Sequence, residues 1–196
     1  VSEAAARKNA FQELLERDTV LTHWLCKKPM QEIQHPSLPR EVRDWARTEL
    51  AHAPRFQKLR VLVANDGYFP AITVVLQDDQ GLGVVAHAAS DSIHQAIGRA
   101  TSEAARIAQS LDHPQLIESS HALAEASIPD SSVLPDDHSA VYAHHLPVPE
   151  WLFGASVPFG VAMRDWERRV AQFDPNAIGL RFHCVSTGPI VVGCAT

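Results

Sequence analysis

The sequence predicts an α+β fold, in which helices pack on a small mixed or antiparallel sheet within a single domain of 196 residues. Two patterns support this prediction. Apolar residues recur at helical spacing in several segments, and three short β-rich runs follow one another with turn sequences between them. The composition, 45% apolar and 20% charged, is that of an ordinary globular chain.

Composition also excludes some classes of function. A net charge of −6 argues against a broad basic surface for nucleic acid, and no apolar run approaches the roughly 20 residues that cross a bilayer. We therefore expect no nucleic acid and no membrane partner. Cys26, Cys184 and Cys194 lack metal-site spacing, which predicts free thiols in a cytoplasmic protein. No glycine-rich phosphate loop or zinc-type histidine spacing is present.

The first predicted elements are two helices and three strands. A helix over residues 3–27 ends at "KKP", where Pro29 cannot continue it. After the loop "MQEIQHPSLP", a second helix runs from about residue 40 to Pro54. The strands are "KLRVLVA", "PAITVVLQ" and "LGVVAHAA", separated by the turn sequences "NDG" and "DDQG".

The second half begins with a helix and continues with an irregular stretch. Ser92 and Gln95 form a capping-box pattern that opens a helix through Leu111. A shorter helix is predicted around residues 115–126, and prolines and histidines over residues 128–160 predict a long irregular excursion. The sequence then predicts one more helix and two strands, in this order: "VAMRDWERRVAQF", "LRFHCV" and "PIVVGCA".

Charged residues form a stripe on the first predicted helix. At 100° per residue, four polar side chains share an arc of about 100°: Asn9, Glu13, Glu16 and Arg17. A different arc is the expected solvated face: Lys8, Gln12, Thr19, His23 and Cys26. The stripe is therefore predicted to be at least partly buried, where two carboxylates one turn apart suit Mg²⁺. The alternative is an ordinary surface ion pair between Glu13 and Arg17.

A second stripe lies on the helix that follows Ser92. Arg99 and Arg106 flank Glu103 beside an apolar face that is rich in alanine. Guanidinium groups match phosphate oxygens in a bidentate manner, which makes this stripe a candidate anion-binding rim. The alternative is a salt-bridged surface. Together, the two stripes offer carboxylates for a metal and arginines for a phosphate.

Four segments, in order, resemble the YcaO family. "NAFQELLERDTVLTHWL" is similar to its signature helix, Gly-Phe-x-Glu-Leu-x-Glu-Arg-Asp followed by tryptophan, and "LRVLVANDGYFPAITVVL" to its strand, turn and strand. "HAASDSIHQAIGRATSE" resembles the segment that ends in Arg-Ala-x-x-Glu. "DDHSAVYA", with Asp137, His138 and Tyr142, resembles an element of azoline-forming members. The resemblance implies a YcaO-like fold and the C-terminal part of a longer chain.

The resemblance also implies an activity and its partners. It implies an ATP- and Mg²⁺-dependent cyclodehydratase of ribosomal peptide maturation: a Cys, Ser or Thr side chain adds to the preceding amide carbonyl, ATP phosphorylates the resulting oxygen, and elimination gives a thiazoline or oxazoline. The alternatives are a non-catalytic scaffold or interaction subunit, and ATP-dependent backbone thioamidation. The implied partners are a precursor peptide, a leader-peptide-binding protein, a flavin dehydrogenase and a second copy in a homodimer.

Residue roles follow from the same resemblance. It implies six contacts: Glu13 and Glu16 as Mg²⁺ ligands, Arg17 and Arg99 at nucleotide phosphates, Glu103 at the metal or nucleotide, and Asn9 beside the site. Arg106 stands where the family often has glutamine. The family's nucleotide site also uses an earlier half of the protein, so we expect either the C-terminal half of an enzyme or a reduced relative.

Overall fold

The computed structural model describes residues 2–56, 58–79, 83–111, 148–174, 182–187 and 190–195. Within these ranges, the elements in chain order are α1 (Glu3–Leu25), β1 (Met30–Ile33), α2 (Arg40–Leu50), β2 (Lys58–Ala64), β3 (Ala71–Gln77), β4 (Gly83–Ala88), α3 (Ile93–Leu111), β5 (Phe153–Val157), α4 (Phe159–Gln172), β6 (Phe182–Thr187) and β7 (Ile190–Ala195). The predicted α+β class is confirmed. None of the described helices is both long and apolar enough to cross a membrane.

The main sheet has five strands in the order β4-β3-β2-β1-β5, and β6 and β7 form a separate antiparallel pair. β2, β3 and β4 are the three strands predicted from the sequence, and they form an antiparallel meander. The sheet is mixed because β5 pairs with β1 in parallel, whereas β1 pairs with β2 antiparallel. Parallel strands need a long connection between them, so this pairing joins two distant parts of the chain.

Two strands were missed by the sequence analysis. β1 lies in the segment that was predicted as a loop after α1, and β5 lies within residues 128–160, where an irregular excursion was predicted. Both strands are short, at 4 and 5 residues, and neither is apolar throughout. Residues 128–147 of the predicted excursion and the predicted helix around 115–126 lie outside the described residues.

The core lies between the main sheet and its helices. β3 is buried along its whole length, and α3 packs on β3 and β4. The apolar face predicted for α3 is buried at Ile93, Ile97, Ala100 and Ala104 and partly buried at Ile107. Ala96 and Ala108 extend the buried face with further small side chains, which allow close approach. Trp166 of α4 is fully buried in the same core. α3 therefore rests on the sheet with its polar side turned away from it.

α1 occupies a different position, since it contacts strands of both sheets. The predicted solvated face is wrong for three of its five residues: Gln12, Thr19 and His23 are buried, whereas Lys8 and Cys26 are exposed. A helix that packs against two sheets buries more than one stripe, so helical spacing alone does not identify its solvent side. This packing brings Gln12 and Glu16 towards the end of β4.

Candidate functional site

A cavity of about 670 Å³ lies where α1, the end of β4 and α3 meet. All six residues predicted for nucleotide or metal contacts line it: Asn9, Glu13, Glu16, Arg17, Arg99 and Glu103. Its charged lining comprises three carboxylates and three cations, since Lys8 joins the two arginines. Arg106, which was predicted as part of the same rim, is exposed and does not line the cavity. The fold therefore brings the two helical stripes to one place.

Glu16 is the half-buried carboxylate of this cavity. Burial raises its pKa from 4.5 to about 7, and the nearby Glu103 and Glu13 carboxylates add to the rise. The Ala89 N–H, which donates to Glu16 Oε2 at 3.3 Å, and the Arg99 guanidinium both act to lower the pKa. Near neutral pH, Glu16 is therefore divided between its protonated and charged forms. A cation beside it would favour the charged form.

Arg99 is held in place by two acceptors. Its Nη1 donates to Gln12 Oε1 at 3.1 Å and to the Ala89 carbonyl at 3.2 Å. The backbone of Ala89, directly after β4, therefore donates to Glu16 and accepts from Arg99. Arg99 remains partly open to solvent, but these contacts with the buried Gln12 and with Ala89 tie its guanidinium to α1 and to the end of β4.

The Glu13–Arg17 pair lies on the solvent side of the cavity. Arg17 Nη2 donates to Glu13 Oε1 at 2.9 Å, and their side chains are 50% and 58% exposed. The ordinary surface pair considered from the sequence is thus present. The predicted burial of the stripe holds for Glu16 alone, since Asn9, Glu13 and Arg17 are exposed.

Several lining residues were not predicted as part of the site: Lys8, Gln12, His87, Ser90 and Gln95. Lys8 Nζ pairs with Asp91 Oδ2 at 2.8 Å across the gap between α1 and the start of α3. His87 Nδ1 lies 2.9 Å from the hydroxyl of the buried Thr73. The sequence contained one signal for His87, namely a single polar residue inside the apolar strand "GVVAHA".

The start of α3 differs from the predicted capping box. The helix begins at Ile93, directly after Ser92, as expected. However, Gln95 Oε1 accepts from Ser90 Oγ at 3.0 Å, and Ser90 Oγ accepts from the Ser92 N–H at 3.4 Å. Ser90 therefore takes the central position that the pattern gave to Ser92, and Gln95 is drawn to the wall of the cavity.

The donor set fits a magnesium ion that is shared with a ligand. Mg²⁺ takes hard oxygen donors and usually binds through one or two carboxylates with substrate phosphates and water. Among the described residues, no group of three His, Cys, Asp or Glu could hold a metal by itself. Glu13 and Glu16 supply the one or two carboxylates that Mg²⁺ takes when phosphate and water provide its other ligands, and Arg17 and Arg99 are available for the phosphate. Asp137, His138 and Tyr142 lie outside the described residues.

Fold and site together define an α+β protein whose cavity combines helix-borne carboxylates with arginines. A sequence profile of the family described as "YcaO cyclodehydratase, ATP- and Mg²⁺-binding" matches residues 2–177. The chain therefore belongs to the YcaO family, which confirms the resemblance found in its sequence. No curated protein sequence matches the chain.

Two solved structures share the fold. One is the E. coli microcin synthetase McbBCD complex with pro-MccB17 bound, at a TM-score of 0.53 and 10% identity, covering 100% of this chain and 51% of that one. The other is a heterocyclase in complex with substrate and cofactor, at a TM-score of 0.53 and 17% identity, covering 94% of this chain and 25% of that one. This chain thus spans about half of the first and a quarter of the second.

Proposed function

We propose that this protein carries out ATP- and Mg²⁺-dependent cyclodehydration of Cys, Ser or Thr to thiazoline or oxazoline in the maturation of a ribosomally made peptide. The observation that carries the proposal is the cavity in which three carboxylates and three cations meet around Glu16. The family description, which names ATP and Mg²⁺, supports the same chemistry. The two similar structures, which contain a pro-peptide and a substrate, support a peptide as the molecule acted on.

In this proposal, the carboxylates of the cavity bind the metal and its arginines bind the phosphates. Glu13 and Glu16 hold Mg²⁺, with Glu103 supporting the metal or the nucleotide and Asn9 beside them. Arg17 and Arg99 bind phosphate oxygens and spread the charge that develops during transfer. When bound, Mg·ATP supplies the phosphoryl group that makes the amide oxygen a leaving group.

Preorganisation is the contribution that the fold makes to this chemistry. Arg99 already donates to Gln12 and Ala89 before any ligand is bound, so little reorganisation is required when a phosphate arrives. Glu16 is desolvated enough to have its pKa raised to about 7, and a divalent cation relieves that cost by pairing with it. The site is therefore built to gain more from Mg²⁺ than an exposed carboxylate pair would.

The partners follow from the same proposal. We expect a leader-peptide-binding protein to present the precursor peptide, and a flavin dehydrogenase to oxidise azolines to azoles. The similarity to a multi-subunit synthetase supports assembly with other proteins. The proposal also includes homodimerisation and a cytoplasmic setting. It treats residues 1–196 as a single domain of a longer protein.

The test combines ATP turnover with mass spectrometry of the precursor peptide, in the presence of the partner protein. We expect Mg²⁺-dependent turnover and the loss of one water per modified residue. Glu13→Gln combined with Glu16→Gln should reduce turnover by about 100-fold or more, since transition-state charge stabilisation is lost. Glu41→Gln, an exposed glutamate in the first turn of α2, serves as the matched control.

Other outcomes would contradict the proposal in distinguishable ways. An unmodified peptide without ATP turnover indicates a scaffold or interaction subunit. Replacement of a backbone oxygen by sulfur indicates thioamidation. Unchanged turnover in the double variant, with product formed, would overturn the metal assignment but leave the reaction intact.

A further inference from the structure

A second cavity, of about 600 Å³, lies between α2 and the start of β2 and shares no lining residue with the first. We call it the α2 groove. Its apolar part includes Ala46, Leu50, Phe56 and Leu59. Among the described residues, its charged lining is entirely cationic: Arg43, Arg47 and Lys58, with His35 beside them. The first cavity balances its charges, whereas this one does not.

The cations of the α2 groove are only partly neutralised by the protein. Arg47 pairs with Asp44 at 3.2 Å on the helix surface. Arg43 and Lys58 have no ion pair with any described residue, and Arg43 Nε is buried without a hydrogen-bond partner there. A buried guanidinium nitrogen without an acceptor is unfavourable. The local excess of positive charge also contrasts with the chain's net charge of −6.

We propose that the α2 groove binds a peptide segment in which acidic side chains alternate with large apolar ones. The carboxylates pair with Arg43 and Lys58, and the apolar side chains cover Leu50 and Leu59, which are only partly buried by the core. Identification of this segment with part of the precursor peptide rests on the proposed function. The volume of the α2 groove is that of an ordinary ligand site, and it admits several side chains of a peptide.

Peptide fits this groove better than nucleic acid does. Proteins that bind single strands combine basic side chains with accessible aromatic rings on which bases stack. The aromatic residue of this lining, Phe56, is 2% exposed and belongs to the core. Apolar contact with carboxylate pairing is instead the pattern expected for an acidic, leucine-rich segment.

The test is fluorescence anisotropy of the purified protein, without ATP or Mg²⁺, using a fluorescein-labelled synthetic peptide of glutamate, leucine and glycine. We expect saturable binding that weakens with added salt. Arg43→Gln and Lys58→Gln should each weaken it about fivefold or more. Arg40→Gln is the matched control: it removes the same charge from the same helix, but Arg40 is 87% exposed and outside the groove.

The outcomes separate this inference from the proposed function. Equal losses in the Arg40→Gln and Arg43→Gln variants, at unchanged unfolding midpoints, would show only long-range attraction and overturn the groove. So would equal affinity for a peptide with lysine in place of glutamate, or tighter binding of a single-stranded oligonucleotide. The Glu13→Gln and Glu16→Gln double variant should bind the acidic peptide normally even where ATP turnover is lost.

Discussion

Gln12 determines how the guanidinium of Arg99 is oriented. Its Oε1 accepts from Arg99 Nη1, across 87 positions of sequence, and its side chain is 6% exposed. On the helical wheel, Gln12 falls among residues expected in solvent, because spacing shows only which residues share a face. The partner that makes burial of this amide acceptable comes from another helix, so single-sequence reasoning could not assign it.

Replacing Gln12 with leucine tests this positioning role. Gln12→Leu retains the volume but removes one of two acceptors, so Arg99 should hold a phosphate less well. We expect the KM for ATP to rise about fivefold to tenfold, the effect of losing about 1 to 1.4 kcal/mol of binding free energy through the freed guanidinium, with a smaller change in kcat. Steady-state kinetics at varied ATP concentration provides the measurement.

The control for this variant is Gln31→Leu, which removes an exposed glutamine of β1 that does not line the cavity. Its kinetic constants should be those of the unaltered protein. A fall in kcat for Gln12→Leu at constant KM, or an equal change in both variants, would show that Gln12 does not act through nucleotide binding.

At the scale of elements, the turn between β2 and β3 docks onto α1. His23 Nε2 accepts from the backbone N–H groups of Asn65 and Asp66 at 3.2 Å each, while its Nδ1 lies 3.1 Å from the Lys28 carbonyl. These partners require the tautomer with hydrogen on Nδ1. One buried side chain thus connects the end of α1 to the sheet, and this contact helps to position the helix that carries Glu13 and Glu16.

The end of α1 shows how tertiary contacts modify a boundary that the sequence locates well. The helix stops close to the predicted "KKP", but through paired backbone bonds, Lys28 N–H to the His23 carbonyl at 2.8 Å and Lys27 N–H to the Trp24 carbonyl at 3.2 Å. Lys27 adopts a φ of 50°, where glycine is usual. His23, whose carbonyl accepts the bond from Lys28, also holds the turn between β2 and β3 through its ring. These contacts offset the conformational cost of the positive φ at Lys27.

Gly67 is required where this turn touches α1. A Cβ at Gly67 would lie 2.0 Å from Thr19 Oγ1 and 2.7 Å from Thr19 Cα, so backbone as well as side chain would have to move. We expect Gly67→Ala to lower the free energy of unfolding by about 1 to 3 kcal/mol, the usual cost of overpacking. Urea denaturation followed by circular dichroism measures it.

Gly98→Ala is the matched control, because the same chemical change is made where space exists. The nearest atom to its Cβ would be Trp45 Cη2 at 3.9 Å, and Gly98 lies within α3. Alanine there should stabilise the protein by up to about 1 kcal/mol through helix propensity. Similar destabilisation by both substitutions would contradict the role given to the α1 contact.

Strands of local origin were predictable, and strands of distant origin were not. β2, β3 and β4 are consecutive, mostly buried and joined by turn signals, so their periodicity and punctuation suffice. β1 pairs with the nearer β2, but β5 joins the sheet through a parallel pairing between Met30–Ile33 and Phe153–Val157. Information about that pairing is spread over more than a hundred residues and is absent from either short segment alone.

At the scale of the whole molecule, the site is assembled from segments whose individual sequence patterns do not indicate a binding site. The stripes on α1 and α3 each allowed an ordinary surface interpretation, and the Glu13–Arg17 pair does form at the surface. Their convergence with the end of β4 makes the cavity. The resemblance to the family selected in advance six residues that line this cavity. The burial that distinguishes Glu16 from Glu13 depends on tertiary packing, which helical spacing does not predict.

Glu16 couples this site to the stability of the whole protein. Its pKa in the folded protein is about 7, above the ordinary value of 4.5. The folded state therefore holds the proton more tightly than the unfolded chain does. The contribution of Glu16 to stability is fully present below about pH 4.5 and is lost as the pH rises towards and through 7. The total change is about 3 kcal/mol, at 1.36 kcal/mol per pKa unit over the rise from 4.5 to about 7.

The Glu16→Gln variant should remove this dependence, because a neutral amide carries no desolvated charge. In urea denaturation without Mg²⁺, we expect the variant to gain about 3 kcal/mol relative to the unaltered protein at pH 8, and almost nothing at pH 4.5. Glu13→Gln should retain most of the pH dependence, since burial and the Glu103 carboxylate each raise the pKa of Glu16 more than Glu13 does. A stability difference that is equal at both pH values would contradict the assignment. Saturating Mg²⁺ should reduce the difference in unfolding free energy between the two proteins at pH 8, because a ligand that binds the native state stabilises it by mass action. Such a reduction would identify Mg²⁺ as a partner of the charged Glu16 carboxylate.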